Sequence, residues 1–354
     1  MSLKEKVFVI KAMSNSTERK QQKKMKYAIG LFRRRGLTEN TWQLLNSIVP
    51  FLAIMFLMVA SLKLKLPYVV SLFGALFASL FLIRIFIIFH DCVHGSYFKS
   101  KIINTMVGSF LGVLTFTPFE VWRFNHLTHH GSVGNLDNRG LGDVWTLTVK
   151  EYNKSSKMTK IRYRLYRNPF ILLFIGSFFI PFIGNRFSKQ KLPKALKKRL
   201  RINLFITNFS IIATLIVFSM FFGWKTYLFV FVPVIWMSWM AGIWLFYVQH
   251  QFPGVYWERR KKRDSFIAAT QGSSFFKLPT ILRWFTGSIG YHHIHHLNPR
   301  IPNYNLKKCY DSISELQKEF PLTLLKSINC FKLKLWDEDL HQLVSFPKKR
   351  TAQI

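Results

Sequence analysis

The sequence has few cysteines and no cysteine pattern. Cys92, Cys309 and Cys330 are the three present, an odd count without paired spacing. Disulfide frameworks use an even number of cysteines at regular intervals, so the sequence does not predict one. The three thiols instead favour a reducing environment that faces the cytosol.

Acidic residues are also scarce. The 354 residues include 16 Asp and Glu against 51 Lys and Arg, which gives a formal net charge of +35, and 49% of the residues are apolar. A disordered basic protein would lack this apolar content, and an ordinary soluble domain rarely combines it with such a charge. The composition therefore indicates a membrane protein with basic flanks. No cleavable signal peptide is predicted, because the first 43 residues contain eleven Lys and Arg and no compact apolar core.

Long apolar runs predict four transmembrane helices. Each run is close to the roughly 20 residues that a bilayer-spanning helix requires. The runs cover residues 44–62, 67–89, 202–222 and 226–248. Two shorter runs, 102–118 and 169–184, are ambiguous by length alone. Arg84 lies inside the second long run, and its side chain is expected to extend toward the membrane interface.

The basic residues mark one side of the predicted membrane. Only Lys63, Lys65, Arg84 and Lys225 interrupt or separate the paired long runs, and all other Lys and Arg lie outside them. The positive-inside rule places these remaining basic segments in the cytoplasm. A nucleic-acid-binding protein is not favoured, because the charges follow membrane topology and no nucleic-acid-binding fold is recognisable.

These patterns predict an all-α integral membrane protein with four transmembrane helices in two hairpins and a cytosolic helical cap. Both chain ends are expected in the cytoplasm. The predicted segments are a basic cytosolic N-terminal arm (1–43), a first hairpin (44–89), a first part of the cap (90–201), a second hairpin (202–248) and a second part of the cap (249–354).

Ten of the eleven histidines lie in four short segments. The segments read H-D-C-V-H, H-L-T-H-H, V-Q-H-Q-F and H-H-I-H-H. Residues three and four apart share one face of a helix, so a cluster can direct two or three imidazoles at one place. The clustered histidines are His90, His94, His126, His129, His130, His250, His292, His293, His295 and His296, and only His341 stands apart.

Such clusters predict metal binding. Without a bound cation they would bring together imidazoles that repel one another when protonated. Transition metals favour imidazole, and eight or more nitrogen ligands exceed what one ion holds, so we predict two metal ions in the cap. Iron suits open nitrogen sites, while zinc and copper remain alternatives. Because ligands of one site must emerge on the same side of the bilayer, the runs 102–118 and 169–184 are predicted not to span it.

The histidine segments resemble those of the membrane fatty-acid desaturases. That family has HxxxH, HxxHH and a second HxxHH in this order around transmembrane hairpins, and the resemblance covers nearly the whole chain. Longer strings are similar in particular to the acyl-lipid delta-5 desaturases of Bacillus, among them G-N-L-D-N-R-G-L-G-D-V-W-T-L-T-V-K-E-Y, W-L-F-Y-V-Q-H-Q-F and G-Y-H-H-I-H-H-L-N-P-R-I-P-N-Y-N-L. The resemblance implies an enzyme of the bacterial plasma membrane with its histidine boxes on the cytoplasmic side.

The resemblance also implies an activity. It describes a non-haem di-iron oxidoreductase that uses dioxygen and two electrons to introduce a cis double bond, at delta-5, into saturated acyl chains of membrane phospholipids. The implied metal ligands are His90, His94, His126, His129, His130, His292, His295 and His296, with His250 as a ninth outside the boxes. Some animal acyl-CoA relatives carry an Asn one helical turn before that extra histidine, where this chain has Phe246.

The electron donor is expected to be a separate protein. The sequence contains no H-P-G-G haem-binding motif, so no fused cytochrome b5 domain is predicted. The basic cytosolic face suits an acidic donor such as ferredoxin or flavodoxin, because opposite surface potentials speed transient docking.

Four more polar residues are candidates beside the ligands. Asp91, Asp137 and Asp143 are predicted to accept hydrogen bonds from ligand imidazoles and so fix their orientation. Asp91 as a helix cap, and Asp137 and Asp143 as turn residues, are the alternatives. His293 occupies a variable position in the third box and is predicted to lie beside the ligands rather than to bind metal.

Two other functions remain open. A di-iron membrane hydroxylase or ketolase acting on an alkane, sterol or carotenoid would use the same ligands, and so would a non-catalytic metal-dependent membrane scaffold. In each enzymatic case the substrate is expected to be apolar and to lie in a tunnel among the Phe- and Leu-rich helices. No individual tunnel residue is predicted.

Overall fold

A computed structural model describes residues 20–139, 142–187, 192–318 and 321–347. Most of these residues are helical, as the sequence predicts. Residues 1–19 of the predicted N-terminal arm, and residues 348–354, lie outside the described residues. The predicted cytoplasmic location of the two chain ends therefore concerns residues that the structure does not describe.

The helices follow one another through most of the chain. Residues 20–30 form α1. The others are α2 (Leu37–Lys63), α3 (Tyr68–His94), α4 (Lys101–Leu114), α5 (Phe119–Ser132), α6 (Val149–Lys154), α7 (Lys157–Tyr166), α8 (Gly176–Phe182), α9 (Lys194–Phe222), α10 (Trp224–His250), α11 (Ser265–Gln271), α12 (Thr280–Phe285), α13 (His292–Leu297), α14 (Asn303–Ser312) and α15 (Leu324–Cys330). Short 3-10 turns occupy Leu31–Arg33, Gly184–Arg186 and Ser314–Lys318, and one π-helical turn covers Ile171–Ile175.

Five very short strands join distant parts of the chain. They are β1 (Leu147–Thr148), β2 (Phe276–Lys277), β3 (Leu322–Thr323), β4 (Leu335–Asp337) and β5 (Gln342–Val344). β1 pairs in parallel with β4, which pairs antiparallel with β5, and β2 pairs in parallel with β3. These pairings attach the C-terminal segment to the chain that follows the second histidine box and to the chain that precedes the third.

Among the described residues, four helices are long and apolar enough to cross a membrane, and they coincide with the four predicted runs. They are α2, α3, α9 and α10. Over its most apolar stretch α3 is 56% buried, whereas α9 is only 6% buried. The core therefore forms around α3, where Leu82, Ile85 and Phe89 are fully enclosed.

Two further helical pairs are sharply bent. α4 and α5 meet at 103°, and α7 meets the segment Ile171–Arg186 at 69°, so the count rises to six if each pair is one broken span. For the first pair the path is decided by a contact: Nε2 of His94, in the last turn of α3, lies 2.9 Å from Nε2 of His126 in α5. The chain from α3 through α4 to α5 thus returns to the place where it started, which favours the predicted non-spanning path.

The bend between α4 and α5 depends on Gly112. The Thr117 amide donates to the Gly112 carbonyl over 2.7 Å as the chain reverses. A Cβ atom on residue 112 would lie 2.5 Å from the Thr117 carbonyl oxygen. Only glycine permits this close backbone approach. Pro118 then precedes α5, the helix that carries the second histidine box.

Arg84, which the sequence predicted to extend toward the membrane interface, is enclosed by the protein. Its side chain is buried, and its guanidinium carbon lies 3.8 Å from the centre of the Trp284 ring. The guanidinium also donates a hydrogen bond to the Trp284 carbonyl. Beside it, the rings of Phe81 and Phe285 meet edge to face at 5.1 Å. These contacts hold α12 against α3 and so fix the segment that leads into the third histidine box.

Candidate metal centre and apolar cavity

Four helices deliver the predicted histidines to one region. α3 carries His90 and His94 near its C-terminal end, where Gly95 ends the helix in the left-handed conformation. α5 carries the second box, α13 carries the third, and His250 is the last residue of α10. The i, i+3 and i+4 spacings place the imidazoles of each box on neighbouring faces of its helix.

The structure brings together all nine histidines that the sequence predicted as ligands. They form two groups, and in each group one ligand atom per residue lies within 4.8 Å of all the others. The first group is His90, His94, His126, His130 and His295, and the second is His129, His250, His292 and His296. The second and third boxes each contribute to both groups, which places the two groups side by side.

The tautomers of the second group suit a cation. His250 Nδ1 lies 3.0 Å from the Gly272 carbonyl oxygen, and that acceptor requires a proton on Nδ1. His129 Nδ1 is hydrogen-bonded to the Asp143 carboxylate in the same way. A neutral imidazole carries one N–H, so both Nε2 atoms present lone pairs. These two Nε2 atoms face each other at 3.1 Å, an arrangement that a shared positive ion stabilises.

Other ring nitrogens converge in the same manner. His250 Nε2 also lies 3.0 Å from His292 Nε2, although one nitrogen cannot hydrogen-bond to both of its neighbours. In the first group His130 Nε2 lies 3.1 Å from His126 Nε2 and 3.0 Å from His295 Nε2. A purely hydrogen-bonded cluster would leave such nitrogens in conflict. The residues present therefore fit bound transition-metal ions, which prefer imidazole nitrogen.

Burial keeps the imidazoles of the third box neutral. It lowers the pKa of His292, His295 and His296 well below the ordinary value of 6.5, and the neighbouring imidazoles lower it further. A neutral imidazole is the form that binds a metal. Among the described residues, Nδ1 of each of these three histidines has no hydrogen-bond partner.

Asp143 lies beside His129, whose imidazole is one of the predicted ligands. Both side chains of the His129–Asp143 pair are almost completely buried. Gly142 makes this approach possible: its φ is +76°, and a Cβ atom there would lie 2.7 Å from the Asn125 carbonyl oxygen and 3.1 Å from the His129 Cβ. The loop can therefore pack directly on α5 and present the next residue, Asp143, to His129.

Asp91 contacts His90 at one oxygen and a buried polar chain at the other. Its Oδ1 lies 3.4 Å from His90 Nδ1, while Oδ2 accepts hydrogen bonds from the Asn303 backbone amide at 2.7 Å and side-chain amide at 2.9 Å. Asn303 Oδ1 in turn accepts from Gln43 Nε2 at 2.8 Å. Asn303 and Gln43 were not among the predicted site residues. For Asn303 a signal existed, since it lies in the desaturase-like string after the third box, whereas nothing marked Gln43.

Two of the four predicted neighbours of the ligands, Asp137 and His293, make other contacts. Asp137 is partly exposed and accepts hydrogen bonds from the Arg259 side chain and the Arg260 amide, which lower the pKa of its carboxyl. It serves this loop contact rather than a histidine. His293 is buried beside the rings of Phe275 and Tyr310, outside both groups, and burial lowers its pKa to about 4.

An apolar cavity of about 270 Å³ leads to the histidines. Its walls come mainly from α3 and α10, and Trp122 of α5 adds an aromatic surface. At one end it is lined by His90 and His126 of the first group and by His292 of the second. Phe246 also lines it, with its ring centre 5.4 Å from that of His129. The position where some relatives carry an Asn is therefore an apolar wall in this chain.

The fatty acid desaturase family model matches residues 65–326 of this sequence. The chain belongs to the fatty acid desaturase family. This desaturase is 42% identical over 334 residues to a fatty acid desaturase of Bacillus subtilis, and the aligned region covers 94% of this chain and 93% of the relative. It is 29% identical over 275 residues to an sn-1 oleoyl-lipid 12-desaturase of Picosynechococcus, covering 74% of this chain and 75% of the relative.

The name of a further relative includes an electron donor, ferredoxin. The desaturase is 26% identical over 266 residues to an sn-1 acyl-lipid omega-3 desaturase (ferredoxin) of Synechocystis, and the aligned region covers 70% of this chain and 67% of the relative. Together these comparisons confirm the predicted family, the similarity to Bacillus desaturases and the enzyme class, an oxidoreductase that desaturates fatty acids.

Proposed function

We propose that this desaturase introduces a cis double bond at delta-5 into saturated acyl chains of membrane phospholipids, with a non-haem di-iron centre. In the balanced reaction, one dioxygen, two electrons and two protons from outside the substrate, together with the two hydrogens removed from adjacent methylenes, become two waters. When bound, iron supplies the oxidising power that no amino-acid side chain has for an unactivated C–H bond.

The nine converging histidines are the proposed ligands. His90, His94, His126, His130 and His295 would hold one iron, and His129, His250, His292 and His296 the other. Asp143 and the Gly272 carbonyl keep Nδ1 of two of these imidazoles protonated, so that each Nε2 lone pair is directed into the second group. Asp91 has the corresponding role for His90 in the first group.

The observation that carries the proposal is the cavity. Its apolar walls suit an acyl chain, and its histidine end is lined by imidazoles of both groups. A methylene pair resting at that end would face both proposed iron sites. Apart from those histidines, the lining is dominated by aliphatic and aromatic side chains such as Leu82, Phe86 and Leu245, which exclude water from the bound chain.

We place the histidine ends of α3 and α10 at the cytoplasmic side of the bacterial plasma membrane, because the basic segments lie on that side by the positive-inside rule. In this arrangement α2 with α3, and α9 with α10, form two hairpins, and the remaining elements form the cap. The predicted boundaries at residues 89 and 248 fall in the last two turns of α3 and α10, whereas those at residues 43 and 201 lie inside α2 and α9.

A small acidic electron donor such as ferredoxin or flavodoxin suits the cap. Arg260, Lys261 and Lys262 are exposed, whereas Arg259 is engaged by Asp137 and Glu338. Arg263 Nε donates to the Val133 carbonyl at 2.9 Å, so this loop is fixed at the C-terminal end of α5, the helix that carries the second histidine box. A donor docked on the loop would lie near the proposed irons.

Expression in a bacterial host that lacks unsaturated fatty acids tests the function directly. Mass spectrometry of the extracted lipids should find acyl chains lighter by two hydrogens, and fragmentation should locate the double bond at delta-5. Chains that instead gain one oxygen atom would identify a hydroxylase. A double bond at another position would overturn the delta-5 assignment alone.

Matched histidine variants connect this product to the proposed ligands. His129→Ala and His295→Ala, one in each group, should abolish the product and reduce the iron content of the purified protein. His341→Asn is the control, because His341 is exposed, lies outside both groups and has a φ of 48° that Asn tolerates. Full activity in His129→Ala would contradict the proposed centre.

A further inference from the structure

We infer that Gly242 determines the length of acyl chain that the enzyme accepts, because its missing side chain leaves room in the cavity for the methyl end of the substrate. This inference rests on the proposed function, since it takes the cavity of about 270 Å³ as the acyl site. It assigns a specificity role to a residue that has no side chain and is not one of the proposed metal ligands.

Neither backbone conformation nor packing requires glycine at this position. Gly242 lies in the interior of α10, is not among the residues with positive φ, and a Cβ atom built on it meets nothing within 4 Å. Gly108 in α4 is a contrasting case, because a Cβ atom there would lie 2.2 Å from the Phe119 ring. An isolated helix would favour alanine at residue 242. What glycine provides here is open space, and the open space is the cavity.

Gly242 lies in the part of the cavity that is remote from the imidazoles. It precedes His250 by eight residues, which corresponds to about 12 Å along the helix axis. On the opposite wall, Leu82 and Ile83 of α3 precede His90 by a similar distance. The lining at this level is mainly apolar, so a lipid headgroup would lose its hydration without compensation there. The methyl end of the acyl chain is therefore the part of the substrate that suits this level of the cavity.

The wall next to Gly242 cannot easily move to compensate for added volume. Trp239, one turn earlier, lines the cavity, and its indole Nε1 donates to the Thr115 carbonyl at 3.1 Å. Ser238 is buried, and its hydroxyl is hydrogen-bonded to the Ile235 carbonyl at 3.0 Å. Because these neighbours are fixed, a side chain at residue 242 would occupy space that the substrate otherwise fills.

Gly242→Leu and Gly242→Ala test the inference by graded filling. Each variant is expressed in the host without unsaturated fatty acids, supplied with saturated chains of several lengths, and the converted fraction of each length is measured by mass spectrometry. Gly242→Leu should lower the conversion of the longest accepted chain at least tenfold relative to the shortest. Gly242→Ala, which favours the helix and adds one methyl group, should lower the same ratio at least twofold.

Ala241→Leu is the matched control. Ala241 is adjacent on α10 and does not line the cavity, so its variant should keep the wild-type length profile. An unchanged profile in both Gly242 variants, or an equal loss at every chain length, would overturn the inference. If Gly242→Leu does not accumulate in the membrane, the ratio in Gly242→Ala decides. Absence of any double bond in the wild-type product would instead overturn the proposed function.

Discussion

Substitution of Asp143 tests how the desaturase orients its second histidine group. The Asp143 side chain is 4% exposed and its partner His129 is fully buried. One carboxylate oxygen accepts a hydrogen bond from the His129 Nδ1–H, and the other has no hydrogen-bond partner among the described residues. A buried carboxylate with a single partner has one evident task, which is to fix the tautomer and orientation of that imidazole.

The expected effect follows from this geometry. Loss of a group that orients a ligand histidine typically lowers metal affinity by about 10- to 100-fold, which corresponds to about 1.4 to 2.8 kcal/mol. Asp143→Asn retains an acceptor oxygen of similar position but loses the charge, so we expect the lower value. Asp143→Ala removes the acceptor, so we expect the higher value. Burial of the pair means that added salt should change neither result.

The assay is iron retention by the purified protein during titration with a chelator. Asp143→Ala should release one of the two proposed irons at a lower chelator concentration than the wild type, while the other is retained. Asp137→Asn is the control, because Asp137 lies in the same loop but binds Arg259 instead of an imidazole. Release of both irons from Asp143→Ala at the wild-type concentration would refute the proposed role.

Three other predictions concern stability, electron supply and pH. Asn303→Ala removes the side-chain donor to Asp91 and the partner of Gln43. The midpoint of thermal unfolding should therefore fall, with a loss of about 1 to 3 kcal/mol for each buried group left unpaired. Asn303→Asp, which places a second carboxylate beside Asp91, should lower the midpoint further, and a midpoint equal to that of the wild type would count against the network. Replacement of Arg260, Lys261 and Lys262 by Gln should slow reduction by an acidic donor and flatten its salt dependence in stopped-flow measurements, whereas an unchanged rate would exclude this docking surface. Iron-free protein should lose stability as pH falls below about 6.5, because the buried imidazoles of the third box have lowered pKa values and the unfolded chain therefore binds more protons in that range. Chemical unfolding at a series of pH values measures this stability. A free energy of unfolding that stayed constant or rose on acidification would contradict the prediction.

Local spacing and composition were enough to predict the elements of the site. The length of an apolar run reflects the thickness of the bilayer, so the four long helices follow from composition alone. The i, i+3 and i+4 spacing of imidazoles is a local property of a helix, so the boxes and eight of the nine converging histidines were also predictable, whereas His250 followed from the resemblance. The enzyme family was recognisable from the same strings.

Assignment of each histidine to one group required the tertiary structure. His129 and His130 are neighbours in the sequence, but successive residues point about 100° apart on a helix, and they enter different groups. In the same way His295 joins the first group while His296 joins the second. The sequence shows that such neighbours diverge, and only the packing of α5 against α3 and α10 shows which imidazoles meet.

Long-range contacts decided the rest. Asp137 and Asp143 have the same chemistry in one loop, and the close packing of Gly142 on α5 is what directs Asp143 to an imidazole. Gln43 and Asn303 are 260 residues apart, so no local pattern relates them. The sequence by itself determined which histidines are candidate metal ligands and which segments are long and apolar enough to cross a membrane. The tertiary structure decided which atoms meet and where the helices leave space for a substrate, because both depend on packing between residues that are remote in the chain.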